Sequence, residues 1–207
     1  MRFSVKGIAE GQPVPAEFAF AVPDPGQHMR FSDNRNPELR WLDAPQGTQS
    51  FVVLVMDPDV PSVADDVNQE GKRVPADLPR VDFYHWVLVD IPADVTLLEE
   101  GEFADGVVPR GKTPGKRRKG IEGINGYTGF LAGDPDLAGT YGGYDGPCPP
   151  WNDEIVHRYI YSVFALDVPS LELEGDFTGG QVREAMRGHV LAEASVTGTY
   201  TLDPALR

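Results

Sequence analysis

The chain has 207 residues, enough for one domain with a sizeable buried core. Its 32 acidic against 18 basic side chains give a formal net charge of −14, which argues against a general nucleic-acid or anionic-membrane surface, because such surfaces attract basic proteins. A single cysteine, Cys148, excludes an internal disulfide and a cysteine-based zinc cluster.

Strand signals dominate. Arg2 to Ile8 and Glu17 to Val22 read as strands near the N-terminus, where Met1 to Gly7 lacks the apolar stretch of a secretory signal. Phe51 to Met56 is a continuous apolar run, as expected of a strand covered on both faces. It is the longest such run and far short of the roughly 20 residues needed to span a bilayer, so a soluble, cytoplasmic protein is expected. Ser62 to Asp82 is polar and irregular. Phe83 to Ile91 is a second buried strand, halted by Pro92, and Gly101 to Tyr144 is rich in glycine with no regular pattern. Loops this long in a compact domain are usually functional or mobile. Tyr159 to Leu166 is a third strand. Thr178 with Gln181 three residues on makes a capping box, and Gly188 supplies a stop, so a helix lies between them with Val182, Ala185 and Met186 on its packed face. A second short helix is expected over Val190 to Ala194, followed by an alternating strand from Ser195 to Leu202. The sum is one mostly β domain over residues 1–207 with peripheral helices and no internal repeat.

Four side chains invite chemistry. Asp57 is expected to end the first buried strand, and the following Pro58 biases it towards an extended conformation from which its carboxylate can face a cavity. Asp-Pro-Asp is also good turn chemistry, and Asp59 is assigned to a turn. His85 interrupts an apolar strand, where a satisfied core histidine is the plain alternative to a ligand contact. His157 opens another strand, and period-two alternation puts Tyr159 on the same face. Arg158 then faces the other way, as a structural ion pair. If the strands are neighbours, Asp57, His85, His157 and Tyr159 converge. Gly146 to Pro150 lacks the N–H groups of Pro147, Pro149 and Pro150, so main-chain donors there come from Gly146, Cys148 or Trp151, and the loop reads as a rigid wall. His28 and His189 have no comparable company.

Asp57-Pro58-Asp59-Val60-Pro61, Tyr84-His85-Trp86, the run from Gly143 to Pro150 and His157-Arg158-Tyr159 occur in that order, together with Asn36 to Trp41 and Gly188 to Ala194. This constellation resembles the phosphatidylethanolamine-binding protein family, also called Raf kinase inhibitor-like, and most closely its bacterial branch. The resemblance implies a central antiparallel sheet packed on a second, smaller sheet, with peripheral C-terminal helices. It implies a pocket for a small anionic or phosphorylated ligand, lined by Asp57, Pro61, His85, Gly146, Cys148, Pro149, Pro150, His157 and Tyr159. The histidines and Tyr159 would donate to the anion, with Asp57 fixing an imidazole tautomer. A homodimer, no cofactor and no catalysis are expected.

Other readings stay open. His85, His157 and Asp57 have the composition of a two-histidine, one-carboxylate metal site, and Cys148 with a histidine could form a nucleophilic set. Eukaryotic relatives restrain kinases or proteases, so a protein-inhibiting interaction domain is a third reading. Arg110 to Lys119 collects six of the eighteen basic side chains, as a solvated loop or as a patch drawing phosphorylated ligands towards the pocket. With two titrating histidines, anion binding is expected to tighten as pH falls through ~6.5.

Overall fold

In the computed structural model, which describes residues 1–207, the apolar run at Phe51 is the middle of a long strand, β6 (Ser50–Pro61). It lies between β7 (Arg80–Pro92) and β11 (His157–Leu166), antiparallel to both. Beyond β11 come β12 (Val190–Tyr200) and the short β2 (Gln12–Pro13); beyond β7 come β10 (Gly120–Glu122) and β9 (Gly115–Arg117). Every pairing in this seven-stranded sheet is antiparallel except β2 with β12. A second sheet joins β1 (Arg2–Val5), β5 (Leu39–Leu42) and β8 (Leu97–Leu98), and a hairpin joins β3 (Ala21–Asp24) to β4 (His28–Phe31).

Both faces of the central strands are covered, which is why their sequence is continuously apolar rather than alternating. Val53, Val55, Trp86, Leu88, Tyr161 and Val163 pack towards Leu39, Trp41 and Leu98 of the smaller sheet. Val52, Leu54, Val87, Val89 and Phe164 point the opposite way, onto Phe177, onto Val182 of the α2 helix (Gly179–Ala185) and onto its C-cap residue Met186. Each such side chain, fully buried, contributes about 1.5–3 kcal/mol. The capping box is present: the Thr178 hydroxyl accepts from Gln181 N–H, and the Gln181 side chain accepts from Thr178 N–H at 2.8 Å. Gly179 must lack a Cβ, because one would strike the Tyr84 ring. Gly188, with φ +82°, takes the left-handed conformation that stops the chain after the helix.

Several local expectations are corrected. Val190 to Ala194 is not a helix but the first half of β12, because Ala192, Ala194 and Val196 at every second position pack onto the core while the strand pairs with β11. Only one C-terminal α-helix therefore exists. Glu17 to Val22 is a 3₁₀ turn (Ala16–Phe18) leading into β3. Asp57 does not end its strand. β6 runs on through Pro58 to Pro61, with register breaks between Val55 and Met56 and between Asp57 and Val60. Proline is tolerated there because a bulge needs no ladder hydrogen bond from it. The irregular stretch after Gly101 contains β9, β10 and a one-turn helix, α1 (Tyr127–Phe130). No helix is long and apolar enough to cross a membrane.

Candidate functional site

Antiparallel pairing brings the C-terminal part of β6, the start of β7 and the start of β11 to the same end of the sheet. There they floor a cavity of about 270 Å³. Asp57 and Pro61 reach it from β6, His85 from β7, and His157 and Tyr159 from β11; Cys148, Pro149 and Pro150 form one wall. Phe20, Met29, Phe31, Phe83, Tyr127 and Phe130 supply most of the remaining apolar surface. Eight of the nine sequence-expected residues thus converge. Gly146 does not line the cavity: its N–H donates to Asn34 Oδ1 at 2.8 Å, and a Cβ there would collide with the Phe18 carbonyl.

The two histidines have opposite surroundings. His157 is wholly buried between two carboxylates, with Nδ1 2.7 Å from Asp57 Oδ2 and Nε2 3.1 Å from Asp153 Oδ2. Carboxylates only accept, so both ring nitrogens donate and the ring is an imidazolium. Burial alone would lower its pKa, but the bonds and charges of Asp153 and Asp57 outweigh that and raise it to about 9. Asp153 is also held by Arg80, at 2.6 and 3.0 Å. Asp57 uses its other oxygen to accept from the Asp59 N–H at 2.8 Å, a bond made possible by the bulge. Asp59 itself takes the Arg158 guanidinium at 2.7 and 2.9 Å. Arg158 is therefore the expected ion pair, and Asp59 serves that pair within the strand rather than a turn.

His85 is buried beside Tyr127, Phe83 and Tyr159. Its Nδ1 lies 2.8 Å from the Asp145 carbonyl, which cannot donate, so Nδ1 carries the proton. Nε2 is left for the cavity as a lone-pair acceptor. Burial holds its pKa below the ordinary value despite the Asp57 and Asp145 charges, and the ring is neutral at pH 7. Asp145 is itself fully bonded: Asn34 and Lys112 donate to Oδ1 at 2.7 Å each, and Asn125 donates to Oδ2 at 2.8 Å.

The Tyr159 hydroxyl is buried with no hydrogen-bond partner of normal geometry. Burial, then the neighbouring Asp57 charge, push its phenol well above the ordinary range, so it stays a neutral donor. In the proline wall, Trp151 N–H donates to Asn68 Oδ1 at 2.9 Å and Gly146 N–H to Asn34, which leaves Cys148 N–H as the one main-chain donor of the three without a partner in the chain. Burial pushes the Cys148 thiol up to about 12, far from a nucleophilic thiolate.

A family model described as phosphatidylethanolamine-binding protein matches residues 4–201 of this chain. The chain belongs to the phosphatidylethanolamine-binding protein family. It is 32% identical over 169 residues to the UPF0098 protein YbhB of Escherichia coli K12, covering 82% of this chain and 83% of the relative. It is 33% identical over 176 residues to a UPF0098 protein of Methanothermobacter thermautotrophicus, covering 85% and 89%. Among solved structures, a putative phosphatidylethanolamine-binding protein homologue, CT736 of Chlamydia trachomatis, superposes with TM-score 0.62 at 26% identity over 96% of this chain and 95% of that one. E. coli YbcL, described as a new member of the mammalian PEBP family, shares the fold with TM-score 0.65 at 24% identity over 97% of each chain.

In this family member Arg110, Lys116, Arg117 and Arg118 of the basic segment are exposed, and several of its cations also hold carboxylates. Lys112 donates to Asp145, Arg117 sits 2.5 Å from Glu122, and Arg118 and Lys119 both hold Glu102. Lys119 is buried and also donates to the Leu97 carbonyl at 3.0 Å. These cations staple the β9–β10 edge to the sheet, and no residue of the segment lines the cavity. Asp153, Asp145, Asn34, Asn125 and Asn152 were invisible to sequence reasoning as site-supporting residues, because each lies in an irregular segment that only tertiary packing brings to the site. His28 stacks on Trp151 at 3.8 Å and meets Glu70 at 2.6 Å, and His189 pairs with Asp167 at 2.9 Å; neither lines the cavity.

Proposed function

We propose that this family member is a binding module rather than an enzyme. Its cavity receives the head of a small anionic or phosphorylated ligand, and the ligand's apolar body lies against the mouth. One observation carries the reading: His85 and Tyr159 pack edge to face, 5.2 Å between ring centroids, in the lining of a largely apolar cavity, and neither the Tyr159 hydroxyl nor His85 Nε2 has a hydrogen-bond partner. A buried polar group without a partner costs about 1–3 kcal/mol, which a ligand oxygen would relieve. The Cys148 N–H adds a second donor. At the mouth, Phe31, Val63 and Phe130 are about half exposed and adjoin the apolar lining, a feature that supports an amphipathic ligand over a bare ion.

The competing chemistries find less support. His157 has no ring nitrogen free for a metal while Asp57 and Asp153 hold it. A neutral, half-buried Cys148 lacks the neighbouring cation that activates a nucleophilic thiol. Calorimetry with phenyl phosphate at pH 6.5 is expected to give saturable one-to-one binding, weakened about tenfold or more by His85→Ala. Equal binding by the variant would move the ligand elsewhere.

A second copy of the chain is proposed as a partner in solution. In support, β2 covers the outer edge of β12 only at Gly198 and Thr199, and Val190 and Leu191 are exposed on that strand. Light scattering at micromolar concentration is expected to give twice 22.6 kDa, reverting to the single mass in Leu191→Asp. The single mass for the unaltered chain would contradict it.

A further inference from the structure

No lysine or arginine lines the cavity. The charges around its floor already cancel in pairs: His157 against Asp57, Arg80 against Asp153, Lys112 against Asp145 and Arg158 against Asp59. A head with its full charge at neutral pH would therefore lose its water and meet no free cation, an expensive transfer. The hydrogen-bonding inventory points the same way. Tyr159 O–H and Cys148 N–H are donors, but the central group, His85, offers a lone pair because its Nδ1 proton is held by the Asp145 carbonyl. A fully deprotonated oxyanion would set lone pair against lone pair at Nε2.

We infer that the cavity selects a protonatable oxyacid head, a phosphate monoester or a carboxylate, which shares one added proton with His85 Nε2. This rests on the binding reading above and goes further by fixing the protonation state of the bound head. On binding, one proton leaves bulk water and lies between a ligand oxygen and Nε2; no bond within the ligand breaks. For a carboxylate the result is a neutral acid–imidazole or an equivalent anion–imidazolium pair. For a phosphate monoester it is the monoanion, whose remaining oxygens accept from Tyr159 and Cys148.

The neighbours of His85 favour this over prior protonation of the ring. Asp57 of β6 is neutralised by His157 of β11, and the Asp145 carboxylate is neutralised by Lys112. Tyr127 of α1 and Tyr159 of β11 pack against the imidazole as neutral rings, with Phe83 on its own strand. No uncompensated carboxylate stabilises a free imidazolium there, so the proton enters only with an anion.

Proton uptake is read directly by calorimetry of phenyl phosphate and benzoate at pH 8 in buffers of different ionisation enthalpy. The expected slope corresponds to about one proton taken up per ligand, and affinity falls about tenfold from pH 7 to pH 8 by linkage. In His85→Gln, which supplies a permanent donor in place of the lone pair, uptake should vanish and the pH dependence flatten. Should that variant misfold, imidazole ¹⁵N shifts of the unaltered protein serve instead: the His85 Nε2 resonance should move away from its free lone-pair position on saturation at pH 8, as that nitrogen accepts or takes the shared proton. Binding without proton uptake, uptake that persists in His85→Gln, or a His85 Nε2 shift that does not move would overturn the inference and leave the binding reading intact. No binding of either ligand at any pH would remove both.

Discussion

Two histidines in one cavity show how far a residue's role depends on the groups that happen to reach it. His157 and Tyr159 were readable as a same-face pair from strand periodicity, and His85 from its place in an apolar run. Their opposite charge states were not readable. Asp153 and Asp145 come from irregular segments, and no local pattern announces that one gives a carboxylate and the other a carbonyl. With His157 already charged and only His85 left to titrate, the expectation of two histidines protonating together near pH 6.5 is replaced by a single site lower on the scale. Asp153→Ala should cost about 3–5 kcal/mol in urea unfolding, because it takes the carboxylate from the largely buried Arg80 and leaves the His157 imidazolium with Asp57 alone. Asp43→Ala, which breaks an exposed pair with Arg2, should cost under about 1 kcal/mol. Equal costs would refute the clamp. Tyr159→Phe should leave stability within about 0.5 kcal/mol of the parent, since its hydroxyl makes no hydrogen bond of normal geometry, while weakening phenyl phosphate binding by about 1 kcal/mol. A large loss of stability would mean the hydroxyl is bonded in the free protein.

At the scale of elements, the buried strands were legible because covering both faces of a sheet leaves a continuous apolar run, and α2 because its capping box is a local signal. The continuation of β6 through Pro58 was not, because a bulge depends on the partner strand. Val190 to Ala194 was misread for a related reason: pairing with β11 overrides a short stretch's own preference. The loop from Ser62 to Pro79 is long and irregular, yet Asn152 organises it. Its amide donates to the carbonyls of Asp66, Gln69 and Lys72 at 2.8, 3.4 and 3.1 Å and accepts from Asn68 N–H at 3.0 Å. Val63, Val67 and Asn68 of this loop line the cavity, so Asn152 holds one lip of the site. Asn152→Ala should cost about 2 kcal/mol and speed hydrogen exchange selectively in residues 66–72. Unchanged exchange there would show that the loop is held by other contacts. Neutralising Lys119 should lower stability, because it removes the buried cation from Glu102 and the donor from the Leu97 carbonyl, without slowing phenyl phosphate association. A slower on-rate at unchanged stability would favour the steering role.

For the whole molecule, the pH dependence of stability follows from the same groups. His157 has a folded pKa of about 9 against an ordinary 6.5, so its contribution is complete below 6.5 and is lost as pH rises through about 9. That amounts to about 3 kcal/mol. Asp59 and Asp153 are held below the usual carboxylate value, burial being outweighed by Arg158 for the first and by His157 and Arg80 for the second. Their contribution is present above about pH 4 and is lost in acid. His85 acts oppositely to His157: its depressed value resists protonation, which subtracts stability below 6.5. Buried Glu122, raised to about 7 chiefly by burial, subtracts stability as pH rises from about 4.5 through 7. Stability should therefore decline from pH 6.5 towards 9, and Asp153→Asn should flatten the alkaline limb. A flat profile from 6.5 to 9 would contradict an imidazolium at His157.

The family and the sheet architecture were thus legible from motifs spread along the chain, whereas the electrical state of the cavity emerges only when the loops close around it. Long-range ¹H–¹⁵N spectra of the imidazoles during a phenyl phosphate titration at pH 7 test that state and the ligand's position together. The ring nitrogens of His85 should shift saturably while His157 keeps the signature of a doubly protonated ring throughout. Saturable shifts at His157 with His85 unmoved, or a His157 that is neutral at this pH, would contradict the site described.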